Sequence, residues 1–74
     1  MGTKNSPGAF DCYAAAESDE PMFVLLARDP LAASLVREWA ALRAARTGAT
    51  PKVVEALKAA DAMDDWRKGE GWKE

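Results

Sequence analysis

Residues 30–46, PLAASLVREWAALRAAR, and residues 51–68, PKVVEALKAADAMDDWRK, are joined by only four residues, Thr47, Gly48, Ala49 and Thr50. At about 100° per residue the first stretch gathers Leu31, Leu42, Leu35, Trp39 and Val36 within an arc of about 140°, extended by Ala40 and Ala33. That is an amphipathic helix, with Arg37, Ser34 and Glu38 on the far side. The second stretch carries a stripe of Val53, Ala56, Leu57, Ala60, Met63 and Trp66. Asp29 before Pro30 and Thr50 before Pro51 are N-cap residues followed by a first-turn proline, so cap and proline agree on both starts. Arg43 and Arg46 complement the carboxyl end of the first helix, and Gly48 follows as its terminator. So short a connection predicts an antiparallel helical hairpin. Leu35 and Leu57 are expected at the helix interface, where truncation of either to alanine would cost about 2 to 5 kcal/mol.

Working outward, Met22 to Ala27 is a run of six apolar residues that fits a buried strand or two helical turns. Phe10 to Tyr13 is the one other strand candidate and is too short for an independently stable sheet. Pro21 to Arg28 is therefore read as a short helix, started by Ser18, Asp19 and Glu20, that covers the hairpin with Met22, Phe23, Leu25 and Leu26. The expected fold is all-α: an antiparallel helical hairpin with a shorter N-terminal helical segment packed across it, a three-helix arrangement. Residues 1–9, rich in glycine and polar side chains, read as a flexible tail. Residues 10–68 form one small helical domain, and residues 69–74 read as a fraying end that Trp72 could tack down.

The composition sets limits on function. Of 74 residues, 49% are apolar, but 16 of them are alanine and only 19 are large apolar side chains, so the core is thin. There is no histidine and a single cysteine, Cys12. The chain thus lacks the groups most used for acid–base work near neutral pH, for an internal disulfide and for zinc cages, and no cofactor is expected. The longest apolar run is far short of a bilayer span and no signal-peptide pattern appears, so the reading is a cytoplasmic protein with no membrane partner. A net charge of −2 and a pI near 5.1 give no overall attraction to nucleic acid.

Four features bear on chemistry. Asp61, Asp64 and Asp65 crowd the end of the second helix, but Lys58, Arg67 and Lys68 lie three or four residues away and offset their repulsion, so no metal role is assigned. Asp64 falls inside the apolar arc and, with Met63, Trp39 and the isolated aromatic Trp72, is a candidate partner-binding residue. Arg37, Arg43 and Arg46 are the candidate nucleic-acid contacts, although no helix-turn-helix register follows them. Cys12 has no neighbouring base to activate it and reads as a small buried apolar side chain. The leading expectation is a non-enzymatic protein–protein interaction or accessory module, with an unknown protein partner or self-association. The alternative is a nucleic-acid-associated accessory protein that uses the arginine-bearing helix.

Asp19, Glu20, Pro21, Met22, Phe23, Val24 and Leu25, followed by Arg28, Asp29 and a helix, resemble a stretch of small uncharacterised helical proteins of bacterial genomes and prophage regions. Asp11, Cys12 and Tyr13 are similar to their start, and Ala59, Ala60, Asp61, Ala62, Met63 and Trp66 to their closing helix. The resemblance implies an accessory role in a phage-derived gene set and brings no catalytic residues with it.

Overall fold

The computed structural model describes residues 1–70 and contains three helices: α1 (Cys12–Ala15), α2 (Ala32–Thr47) and α3 (Pro51–Glu70). The long pair, α2 and α3, pack against each other as the expected hairpin. Two ties fix their antiparallel sense. Arg37, early in α2, reaches Asp61 and Asp64 late in α3, and the Arg67 guanidinium donates to the Arg28 carbonyl at 2.6 Å.

Around the hairpin turn the punctuation works as its chemistry requires. The Thr50 hydroxyl accepts the Val53 amide at 3.4 Å and its carbonyl accepts the Val54 amide at 3.0 Å, so α3 starts at Pro51 with a satisfied first turn. Gly48 adopts φ +82°, a conformation that costs a side-chain-bearing residue dearly, while its amide closes α2 on the Ala44 carbonyl at 2.7 Å. The start of α2 departs from expectation: Asp29 accepts the Leu31 amide at 2.9 Å in the preceding turn but does not cap the helix, which starts at Ala32, two residues after the proline, with Leu31 at the N-cap and no side-chain cap bond. At the far end α3 runs on through Gly69 to Glu70.

The composition of the interface departs from expectation. The buried residues are Ala32, Ala33 and Ala40 on α2 and Val53, Ala56 and Ala60 on α3, with Val36, Ala44 and Met1 packed against the cluster of Ala40, Val53 and Ala56. Leu35 remains 45% exposed and Leu57 43% exposed, so neither is the interface anchor that the wheel suggested. Small side chains explain the outcome. Alanine against alanine lets two helices approach to the near end of the roughly 8–10 Å range, so that backbone and Cβ atoms share dispersion contacts. Turning the leucine side inward would hold the axes apart and point Arg37 away from Asp61 and Asp64.

A further departure concerns residues 21–28. They form no helix; the chain runs irregularly to a turn in which the Asp29 amide bonds the Leu26 carbonyl. Pro21 lacks a donor, and two turns are too few to offset helix nucleation without a packed face. Met22, Phe23, Val24 and Leu26 are consequently exposed rather than laid over the hairpin.

The short N-terminal helix is instead α1, capped by the Asp11 carboxylate, which accepts from the Tyr13 and Ala14 amides. It has no buried residue. Cys12 is exposed, contrary to the buried role read from its surroundings, because α1 is only one turn long and lies against neither long helix.

Candidate functional site

Residues 1–10 fold back onto α3 through one carboxylate. Glu55 accepts the amides of Ala9 at 3.1 Å and Phe10 at 3.2 Å, and its oxygen lies 3.3 Å from the Met1 ammonium. The same ammonium donates to the Phe10 carbonyl, and Gly8 at φ +84° lets the backbone pass close to the Met1 carbonyl. Ala9, Phe10, Ala49, Pro51, Val54, Glu55 and Lys58 enclose an open groove of about 510 Å³.

Partial desolvation pushes the Glu55 pKa up. The hydrogen bond from Ala9, that from the Met1 ammonium and that from Phe10 outweigh it and hold the group below its ordinary 4.5. Because the folded value is the lower one, this contact stabilises the fold above pH 4.5 and is lost as the pH falls through the folded value. Acidification from about pH 6 to about pH 3 is therefore expected to release residues 1–10 before the hairpin melts. Amide exchange at Ala9 and Phe10, followed against helical circular dichroism, checks it. In Glu55→Ala, which removes both acceptor oxygens, those two amides should exchange quickly at every pH.

The carboxylate crowding at the end of α3 is relieved from across the hairpin rather than by its own lysines. Arg37 Nη2 lies 2.9 Å from Asp61 and 2.6 Å from Asp64, two charge-assisted bonds that hold the guanidinium still more firmly protonated, Asp61 contributing most. Arg37, expected as a nucleic-acid contact, is thus occupied by two carboxylates. Asp64, expected at a partner surface, is occupied by Arg37. The pair is partly solvated, so its contribution is modest and screened by salt. Arg37→Gln is expected to lower the unfolding midpoint slightly in low salt, with the difference fading at high salt, whereas Asp61→Asn should be close to neutral because Asp64 still holds the arginine. Urea titrations at two salt concentrations distinguish these outcomes.

The remaining expected contacts separate. Met63 is half-buried on α3. Trp39 lies two residues beyond Arg37 and so about 160° around α2 from it, on the side turned away from the Arg37–Asp64 pair. There it lines a second shallow groove of about 190 Å³ with Leu42, Arg43 and Arg46. Among the described residues Arg43 and Arg46 make no ion pair. Trp72 lies outside the described residues.

The sequence reading missed that Leu31, Leu35, Trp39 and Leu42 together form an outward face of α2, all of them exposed. The signal was present in the spacing of Ala33, Ala40 and Ala44, a stripe of small residues on the side of the helix away from the leucines. Among the described residues no group of three or more histidine, cysteine, aspartate or glutamate side chains is placed to hold a metal ion. No helix there is long and apolar enough to cross a membrane. In comparison with known proteins, the chain matches no family model, no curated protein and no solved structure.

Proposed function

We propose that this chain is a non-enzymatic protein-interaction module whose working surface is the outer face of α2. One observation carries the reading: Leu31, Leu35, Trp39 and Leu42 stand in solvent on a helix whose opposite, alanine-lined side already supplies the packing that holds the hairpin together. Exposed single apolar residues are ordinary; four on one helical face, with a tryptophan among them and arginines beside it, match the composition of protein-binding hot spots. The lack of histidine and the single cysteine support a non-catalytic role, and the resemblance to prophage-associated proteins supports an accessory role within a phage-derived gene set.

A photo-crosslinking amino acid placed at Leu35 in the expressed chain tests the reading in cells. Adducts to a polypeptide are expected from Leu35 and not from Ser34, which lies about 100° away on the same helix. No adduct from Leu35 beyond the Ser34 background overturns it. A second reading, nucleic-acid binding, draws support from one observation only: Arg43 and Arg46, without an ion pair among the described residues, lie beside Trp39, the combination of cation and stacking surface that single strands use.

A further inference from the structure

Resting on that reading, we infer that the occupant of the α2 outer face is a second copy of this chain, whose residues Asp19–Leu26 lie along it. The two surfaces complement each other on three counts.

The first is charge. The face is edged at its carboxyl end by Arg43 and Arg46, both without an ion pair among the described residues. The segment begins with exposed Asp19 and Glu20. The second is chemistry and length. After those carboxylates come Met22, Phe23, Val24 and Leu26, all exposed, Phe23 at 88%. An extended run from Asp19 to Leu26 spans roughly 25 Å, and α2 from Leu31 to Arg46 roughly 22 Å. Laid antiparallel to the helix, the segment sets its acidic end at Arg43 and Arg46 and its apolar end over Leu31 and Leu35.

The third is area. Fully covered, the four α2 residues and the four segment residues, each between 39% and 88% exposed, would bury on the order of the 800 Å² per partner of a standard interface. A reciprocal pair, each copy giving its segment and receiving the other's, closes as a two-fold dimer and leaves neither surface open. The segment does not cover its own α2. Arg67 of α3 holds the Arg28 carbonyl, and both apolar surfaces remain exposed within one chain.

The test is light scattering on the full chain at about 100 μM, with charge reversals on each side of the contact. The wild-type chain is expected to be a dimer. Arg43→Glu with Arg46→Glu, or Asp19→Lys with Glu20→Lys, should each weaken association at least roughly tenfold, and the four changes combined in one chain should restore it. Phe23→Ser should also give a monomer. All these positions are exposed, so helical circular dichroism should be unchanged. A monomeric wild type, a combined variant that stays monomeric, or a Phe23→Ser dimer overturns the inference. So does salt-sensitive oligonucleotide binding by a monomer that is lost on reversal of Arg43 and Arg46. If Leu35 crosslinks to a different protein, the interaction reading stands and the second-copy assignment falls.

Discussion

Ala56→Leu is expected to destabilise the hairpin by about 3 kcal/mol, the upper end of what overpacking a close-fitting interface costs. Ala56 belongs to the buried cluster with Ala40 and Val53, where Met1 is the one flexible side chain among the packed neighbours and the rest are short and fixed to the helices. Three added carbons per residue must push α2 away from α3, and that same movement draws Arg37 from Asp61 and Asp64. A chain of this length has a total stability of roughly 4 to 11 kcal/mol, so the loss is a large part of the whole. Urea denaturation followed by circular dichroism measures it. A variant as stable as the parent would mean that the alanine seam is not what joins the helices.

Val53→Ala carries the second largest expected effect, about 2 kcal/mol, from lost transfer energy and the void left behind. Val53 is 2% exposed and is the bulkiest member of the buried cluster. Leu57→Ala, four residues on, should cost about 1 kcal/mol or less, since much of that side chain already meets water and alanine favours the helix. The order is the informative part: the smaller residue is expected to matter more than the larger one. If Leu57→Ala proved the costlier change, the leucine stripe would be the seam after all.

That reversal also shows how far the fold was legible in the sequence. The two long helices, their caps at Thr50 and Gly48, and their antiparallel pairing follow from local chemistry: a capping hydroxyl, a proline in a first turn and a glycine at positive φ. Such signals act within a few residues and survive whatever the tertiary context does. Which side of α2 turns inward is a different question. A wheel weighted by apolar bulk favours Leu31, Leu35 and Leu42, whereas the structure is decided by closeness of approach, to which alanine contributes most and bulk least. The pairing of Arg37 with Asp61 and Asp64 was hidden for a related reason, because it spans 24 and 27 residues and depends on that choice of side. Residues 21–28 failed from the opposite direction: apolar content was read as a reason to be helical, yet a segment of that length needs a surface to lie on, and within its own chain Met22, Phe23, Val24 and Leu26 stay exposed.

The candidate site was legible only in fragments. Trp39, Arg43 and Arg46 were singled out and do meet on one groove, but Met63 and Asp64 belong to the inter-helix side, and Arg37 is held there too. The Glu55 contact with Met1, Ala9 and Phe10 had no local signature, since it joins groups more than forty residues apart.

Dividing α2 into an alanine side and a leucine side separates two selective pressures. Residues 31, 35, 39 and 42 are exposed, so exchange among apolar and aromatic types there leaves the packing of the scaffold untouched. The scaffold itself is frozen at a handful of positions where even one extra methyl group is felt. Descendants of such a chain would be recognised by where their alanines fall, long after their outward side chains had ceased to resemble one another.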